Sequence, residues 1–311
     1  MDTLFTPAFA TAFIAGAITA GVPLWLAGLG EQISEKSGVL NLGLEGMMLA
    51  GAFVGFSVAL VTGSFALGFV AGALAGALVA LVIVLLCVVI HLNQIVVGIA
   101  MTLSMQGATS LAHHVMYARD FPRLPRQNEW AIPFLSDIPV IGKAIFTHHP
   151  VIFIAVLLVP LLAWVFRSTH VGLNLAAAGE KPAALDIAGV SVGLTRGLAV
   201  ISTGLLGGLG GAVMANVGAG LFIPFITGGA GFMAIVLAML ARGRPTWVLG
   251  SALIVGLAMS VTTALQVGGL QIPTDVVQML PFTLIIVVLA LFGRRAGLPA
   301  SLGLPYQRGA R

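Results

Sequence analysis

The sequence RSTHVGLNLAAAGEKPAALDIAGVSVGLTR, residues Arg167–Arg196, is a polar segment in a chain that otherwise consists of long apolar runs. A short amphipathic helix is predicted within it, because Pro182 suits the first turn of a helix and Gly189 suits its end. Basic residues, here Arg167, Lys181 and Arg196, mark the cytoplasmic ends of membrane spans. The segment is therefore expected in the cytoplasm, either as an ordinary interhelical loop or as a coupling helix that contacts an ATPase.

Composition places the rest of the chain in a membrane. Of the 311 residues, 59% are apolar and 8% are charged, whereas a soluble domain carries roughly 25% charged residues. We therefore predict an all-α, polytopic bundle of transmembrane helices that forms a single domain over residues 1–311. The net charge of +4 does not indicate nucleic-acid binding, because the basic residues lie at the ends of the apolar runs. The lone Cys87 excludes a disulfide framework and a cysteine-based metal site.

Nine apolar segments are predicted spans, by comparison with the roughly 20 residues that a crossing requires. They are Pro7–Leu29, Val39–Val61, Ala66–Ile90, Asn93–Tyr117, Pro150–Phe166, Gly197–Val217, Ala230–Ala241, Thr246–Gln266 and Val276–Phe292. Ala230–Ala241 is too short to cross alone, so it is expected to start below the surface, after an irregular segment at Gly218–Gly229. Gly68, Gly72 and Gly76 recur every four residues and predict a close helix contact.

The distribution of charge predicts the orientation of the bundle. Nine crossings with Arg167–Arg196 inside place the N-terminus outside, the C-terminus inside, and the hydrophilic segment Ala118–His149 outside. The predicted inner residues are Lys36, Arg167, Lys181, Arg196, Arg242, Arg244, Arg294, Arg295, Arg308 and Arg311, and the outer ones are Arg119, Arg123, Arg126 and Lys143. This excess of inner positive charge follows the positive-inside rule.

Four blocks of the sequence carry a resemblance to a known family. They are GEQISEKSGVLNLGLEGMML (Gly30–Leu49), AAAGEKPAALDIAGVSV (Ala176–Val192), GFMAIVLAMLARGRPTWVLGSAL (Gly231–Leu253) and LPFTLIIVVLALFGRR (Leu280–Arg295). Together they resemble the permease subunits of nucleoside-type ABC importers, within the branched-chain amino acid, ribose and simple-sugar permease family. The first block is the most specific, since sugar permeases of this family tend to carry an aspartate-containing segment there.

The resemblance implies a multi-pass protein of the bacterial inner membrane that moves nucleosides inward. The implied partners are a second, longer permease subunit in a heterodimer, an extracytoplasmic substrate-binding protein and a cytoplasmic ATPase. ATP and magnesium would be bound by that ATPase, and this chain would hold no cofactor or metal. The resemblance also implies which residues contact the ATPase. They are Gly179, Glu180, Lys181, Pro182, Ala184, Leu185 and Asp186.

Polar residues inside the spans are the candidates for a substrate path. Glu45 is an ionisable group within a predicted span and shares a helix face with Asn41. A buried carboxylate in a membrane is costly and indicates a function, which for Glu45 is either substrate contact or the bracing of a broken helix through freed backbone N–H groups. The second interpretation is slightly favoured.

Amides and aromatic rings complete the set of substrate-path candidates. Amides offer paired donors and acceptors that match a nucleobase or a ribose, and Phe222 and Phe225 follow glycines in the irregular segment, where a ring could stack on a base. The full set is Asn41, Glu45, Asn93, Gln94, Gln106, Asn216, Phe222 and Phe225. Interhelical hydrogen bonding for the glutamines and ordinary packing for the phenylalanines remain open alternatives.

Catalytic motifs are missing from the sequence. The chain has no GxxxxGK[ST] phosphate loop, and neither a Ser–His–Asp arrangement nor a facing pair of carboxylates is evident. His113 and His114 are adjacent, face different ways on a helix and lack a third metal ligand. An enzyme is therefore not expected. The alternatives that remain are a monosaccharide permease, an ion-coupled secondary transporter, which would need inverted repeats and a buried ionisable relay, and a structural membrane scaffold.

Overall fold

The computed structural model describes residues 6–118, 120–125, 129–267, 279–292 and 297–307. The helices are α1 (Pro7–Lys36), α2 (Leu44–Thr62), α3 (Phe65–Ile83), α4 (Gln94–Tyr117), α5 (Ile141–Phe146), α6 (Pro150–Ser168), α7 (His170–Glu180), α8 (Pro182–Ile187), α9 (Val192–Val213), α10 (Ala230–Ala241), α11 (Pro245–Val267) and α12 (Leu280–Phe292). Two π-helical turns, Val84–Val89 and Met214–Ala219, continue α3 and α9.

Seven helices in the described ranges are long and apolar enough to cross a membrane, namely α1, α2, α3, α4, α6, α9 and α11. Two further apolar helices, α10 and α12, are shorter. The prediction of a polytopic helical bundle is thus confirmed, and each predicted span overlaps one of these helices within the described residues. Nine crossings, with the N-terminus outside and the C-terminus inside, stay a prediction.

Short polar side chains begin several of the spans. Ser64 Oγ accepts the backbone N–H of Leu67 at the start of α3, at 3.4 Å. Asn93 Oδ1 accepts the N–H of Ile95 at 2.9 Å at the start of α4. These caps satisfy the donors that the first turn of every helix leaves unpaired. Local sequence therefore decides where the spans start.

The core of the bundle is formed where α3, α9 and α2 pack closely against one another. A Cβ atom added to Gly76 would collide with the backbone of Gly204 and Gly208 on α9. One added to Gly72 would collide with the backbone of Gly51 on α2. The glycine face predicted on α3 therefore brings three helix backbones into contact, as small residues do in membrane helices.

The second half of the chain contains the irregular segment that the sequence predicted. The π-helical turn after α9 ends at Gly220, whose φ of 66° is left-handed, and α10 starts after Gly229, whose φ is 88°. Glycine adopts these angles without the steric cost of a Cβ atom. The bounds of α10, Ala230–Ala241, are those predicted.

Two predictions about helix ends are wrong. The first span was expected to end at Leu29, but α1 continues to Lys36 and buries Glu31 and Glu35, which are 0% and 5% exposed. Helical propensity continues through the sequence EQISEK, and α2 starts correspondingly later, at Leu44. These acids therefore belong to the packed end of α1.

The segments at 118–149 and 167–196 contain more structure than a loop. The first holds α5 and a two-stranded antiparallel pair, Trp130–Ala131 with Thr147–His148, in a mostly helical protein. The second holds α7 and α8 and runs into α9, which starts at Val192. Arg196 consequently lies inside a span and is 3% exposed, and does not mark its solvated end.

Candidate functional site

The carboxylate of Glu45 binds the amino-terminal end of α10. Its Oε1 atom accepts hydrogen bonds from the Thr227 hydroxyl at 2.6 Å and from the Gly229 N–H at 2.9 Å. Its Oε2 atom accepts the N–H of Gly231 at 2.6 Å. These hydrogen bonds pair N–H groups that the first turn of α10 would otherwise leave without a partner, and the negative charge also complements the positive end of the helix dipole.

Close backbone contact makes this arrangement possible. A Cβ atom on Gly231 would collide with the backbone of Glu45, so the first turn of α10 lies directly against the first turn of α2. Glu45 is 1% exposed. The geometry is that of the bracing interpretation, in which the carboxylate holds a broken helix, while substrate contact by Glu45 stays a prediction.

Asn41 lies in the turn that precedes α2, so the prediction that it shares a helix face with Glu45 is wrong. Its backbone N–H donates to Glu31 Oε1 on α1 at 3.1 Å, and its side-chain Oδ1 accepts the N–H of Gly43 at 3.2 Å. The residue is 1% exposed. Glu31 and Asn41 thus fix the turn between α1 and α2, directly before the helix that carries Glu45.

The predicted coupling segment forms a compact surface element. Pro182 occupies the first turn of α8, and Gly189 follows the helix with a φ of 84°. Leu185 is buried against Ala178 and Val192. Ile187 is 87% exposed, so α8 presents an apolar side chain at the tip of a polar segment.

The other predicted coupling residues lie in α8 or just before it. Gly179 is buried, and a Cβ atom there would collide with the carbonyl of Lys36. Glu180, Lys181 and Ala184 are exposed, and Pro182 and Asp186 are half-buried. Glu180 also lines a cavity of about 150 Å³. Gln32, Glu35, Lys36 and Arg242 contribute to the same cavity.

The side chain of Arg196 connects three parts of the chain near α8. Its Nε donates to the Ser37 carbonyl at 3.1 Å and its Nη2 to the Ala178 carbonyl at 3.1 Å. Its Nη1 donates to the Leu304 carbonyl at 2.8 Å. The guanidinium therefore connects the end of α1, the end of α7 and the segment after α12 through the fixed fork of its donors.

A family comparison now identifies the class of protein. The model of the family described as the branched-chain amino acid transport system permease component matches residues 13–289. This chain belongs to that permease family. The permease is thus a multi-pass protein of the plasma membrane, and the predictions on family, location and lack of an enzyme activity are confirmed.

Three relatives show which transporters the permease resembles. A putative glucose ABC transporter permease of Haloferax volcanii is 36% identical over 250 residues, 80% of this chain and 76% of the relative. A nucleoside ABC transporter permease of Lactococcus lactis is 33% identical over 303 residues, 94% and 96% of the two chains. A guanosine ABC transporter permease of Bacillus subtilis is 33% identical over 303 residues, 93% and 94%. The transporter to which this permease belongs is therefore of the ABC class.

The amides predicted on α4 lie in different environments. Asn93 is exposed and caps α4. Gln94 is 6% exposed, and its Oε1 accepts the backbone N–H of Leu40 at 2.9 Å, which is the interhelical bond offered as an alternative to substrate contact. Gln106 is half-buried, and within the described residues its amide group has no hydrogen-bond partner. Of the two glutamines of α4, Gln106 is therefore the one whose amide group is not engaged in a hydrogen bond among the described residues.

The candidates near the irregular segment divide in the same way. Asn216 is 2% exposed, and its Nδ2 donates to the Gly55 carbonyl at 3.4 Å. Phe222 is 0% exposed and meets the ring of Phe53 edge-on, at 5.2 Å between centroids. Phe225 is 54% exposed and holds a φ of 62°, which is strained for a bulky residue. The structure thus separates a packed group from an accessible pair, Gln106 and Phe225.

Two residues of this region were not singled out from the sequence. The sequence identifies Arg196 only as a cytoplasmic charge, and it assigns no role to Tyr306. Tyr306 Oη donates to Asp186 Oδ2 at 3.1 Å. The position of Arg196 within the first turns of an apolar helix was the available signal, since a cation there needs buried partners. Nothing local to Tyr306 indicates its contact.

Proposed function

We propose that this permease is one subunit of an ABC importer that moves nucleosides into the cell. The observation that carries the proposal is the match to nucleoside and guanosine permeases along nearly the whole of both chains. The signature block Gly30–Leu49 supports it, because it supplies Glu31, Asn41 and Glu45, which organise the inner end of α1, the start of α2 and the start of α10.

A monosaccharide is the second candidate substrate. The glucose permease relative has the higher identity, 36%, although it matches a smaller share of each chain. Sugars and nucleosides share hydroxyl groups, and an amide such as Gln106 serves both. A nucleobase additionally offers a flat face for stacking, and the exposed ring of Phe225 suits that face. The aromatic residue therefore favours the nucleoside.

The proposed partners follow from membership of the permease family and from the exposed surface of α8. ATP and magnesium would be held by a separate cytoplasmic ATPase, which binds α8 through Ile187 and its neighbours. An extracytoplasmic binding protein would deliver substrate near residues 118–149, and a second, different permease subunit would complete the path. Closure of the ATPase would push on α8 and change access to the path.

Within the path, binding is expected to be weak. Each polar group of a nucleoside that loses its hydrogen bonds to water without replacement raises the free energy of binding by about 1–3 kcal/mol. The path therefore requires a few polar side chains. A tight site would retain what it must release. Gln106 and Phe225 are suited to a transient site, since neither is committed to the packing of the core.

The proposal is tested by transport. The permease is purified with its proposed ATPase and second permease, reconstituted in vesicles, and supplied with the proposed binding protein and ATP. Uptake of guanosine, uridine, ribose and glucose is then compared. ATP-dependent uptake of nucleosides above sugars supports the proposal, uptake of glucose alone favours the monosaccharide, and uptake without ATP or partners contradicts an ABC importer.

A further inference from the structure

We propose that residues 297–307, named here the C-terminal strap, hold α8 in place, and that Tyr306 and Arg196 are positioning residues for coupling to the ATPase. The inference rests on the proposed function for the role of α8. It adds to that function a second segment of the chain, more than 100 residues away from α8 in sequence, as part of the coupling element.

The strap lies across the ends of α1 and α7. The Ser301 N–H donates to the Gly179 carbonyl at 2.8 Å, and the Gly303 N–H donates to the Gly38 carbonyl at 3.0 Å. Gly303 has a φ of 76°, an angle that glycine adopts readily. Backbone hydrogen bonds therefore fix the course of the strap independently of its side chains.

The side chain of Arg196 holds the strap at Leu304. It binds the Leu304 carbonyl of the strap and the Ala178 carbonyl of α7 with different nitrogen atoms, at 2.8 and 3.1 Å. A single buried guanidinium thus sets the distance between the strap and the helix that leads into α8. Lysine has one compact ammonium group and does not reproduce this fork.

Tyr306 makes the connection to α8 itself. Its hydroxyl donates to Asp186 at 3.1 Å, and its ring packs against the buried cluster of Ala178, Leu185 and Val192. Its backbone carbonyl lies 3.0 Å from Nε2 of His91, which donates when that nitrogen is protonated. The residue therefore links α8 to this cluster and to His91, which lies just before α4.

A helix as small as α8 needs such support. It has six residues, of which Leu185 alone is buried, and helices this short are not stable in isolation. Force applied by the ATPase moves the spans only if α8 keeps its structure and its position on the bundle. The hydrogen bond between Tyr306 and the carboxylate of Asp186 holds α8 in place, because hydrogen bonds to ionised groups are stronger than those between neutral groups.

The first measurement reports on α8 without requiring transport. Hydrogen exchange of peptides that cover Pro182–Ile187 is compared in purified wild type, Tyr306→Phe and Tyr117→Phe. The chain has 2 tyrosines, and the Tyr117 hydroxyl is buried without a hydrogen-bond partner among the described residues, so Tyr117→Phe is a matched control. Tyr306→Phe is expected to speed exchange in α8 about 5-fold or more, and unchanged exchange overturns the proposal.

The second measurement tests coupling in the reconstituted complex. Tyr306→Phe is expected to lower substrate uptake per ATP hydrolysed by about 2-fold or more, with complex abundance and basal ATPase activity at wild-type values. Asp186→Asn keeps an acceptor oxygen and is expected to lie between wild type and Tyr306→Phe. Tyr117→Phe is expected to leave uptake per ATP unchanged.

Two outcomes contradict a positioning role. If Tyr306→Phe reduces abundance while uptake per ATP remains that of wild type, the strap is structural only. If wild type transports normally and Tyr306→Phe equals Tyr117→Phe in both assays, the strap has no role. A wild-type complex that transports neither nucleosides nor sugars contradicts the proposed function instead, and the exchange experiment then decides the strap separately.

Discussion

Glu45 at the start of α2 accepts the backbone N–H of Gly231 at the start of α10 at 2.6 Å, although 186 residues separate them in sequence. The same carboxylate accepts two further hydrogen bonds from the turn before α10. A broken helix is thereby capped by a side chain from another helix. The bonds to Thr227 and Gly229 link the block Gly30–Leu49 to the end of the irregular segment.

The first prediction concerns this brace. Glu45→Ala leaves buried N–H donors without an acceptor, each of which costs about 1–3 kcal/mol, so thermal stability of the purified permease should fall by several degrees. Thr227→Val removes one of the three bonds and should have a smaller effect. Thermal unfolding in detergent measures both variants. If Glu45→Ala unfolds like wild type but abolishes uptake, Glu45 contacts substrate and does not brace α10.

The second prediction concerns helix contact. A Cβ atom on Gly211 of α9 would collide with the backbone of Met48 on α2, so Gly211→Ala should destabilise the permease by about 1–3 kcal/mol and reduce the amount of folded protein. Gly250 in α11 has open space at its Cβ position, and Gly250→Ala should be neutral. Size-exclusion profiles and unfolding temperatures test the pair. Equal profiles for the two variants would mean that α2 and α9 are not in contact.

The third prediction concerns the substrate path. Gln106→Leu and Phe225→Ala should reduce nucleoside uptake about 5-fold or more at equal complex abundance, since each removes about 1 kcal/mol or more of contact with substrate. Gln94→Leu and Phe222→Ala should instead lower abundance, because Gln94 binds the Leu40 backbone and Phe222 is fully buried. Uptake and quantitative immunoblotting are measured together.

The opposite result would be equally informative. Normal uptake in Gln106→Leu and Phe225→Ala, with reduced uptake at wild-type abundance in Gln94→Leu and Phe222→Ala, would place the path through the packed group. The rings around Phe222 would then have to separate during transport. Asn216→Leu belongs with the packed group, since its amide binds the Gly55 carbonyl.

The fourth prediction concerns topology. Arg123 and Lys181 are both exposed, and charge distribution places the first outside and the second in the cytoplasm. On a Cys87→Ala background, a membrane-impermeant maleimide should label Arg123→Cys in intact cells with a permeable outer envelope, and Lys181→Cys only after lysis. The reverse pattern would place α8 outside and contradict its contact with a cytoplasmic ATPase.

Local sequence determined much of the fold. The apolar runs predicted the positions of the spans, Pro182 and Gly189 predicted α8, and Gly218–Gly229 predicted the break before Ala230–Ala241. These features depend on side-chain hydrophobicity, on the fixed φ of proline and on the freedom of glycine. Each of these properties acts over a few residues, so its effect can be predicted from the local sequence. The glycines of α3 belong here too, because their common face follows from helical periodicity.

Tertiary structure alone decided which polar groups meet. The local sequence does not indicate that Glu45 binds Gly231, that Arg196 binds Leu304 or that Asp186 binds Tyr306. A buried charge in a membrane must find partners, and this requirement made Glu45 a candidate from its position in an apolar run. The identity of the partners depends on which backbones approach within about 3 Å, and that distance is set by the packing of the whole bundle. For the same reason, only the packed bundle separated Gln94 and Phe222, which are buried against their neighbours, from Gln106 and Phe225, which are not.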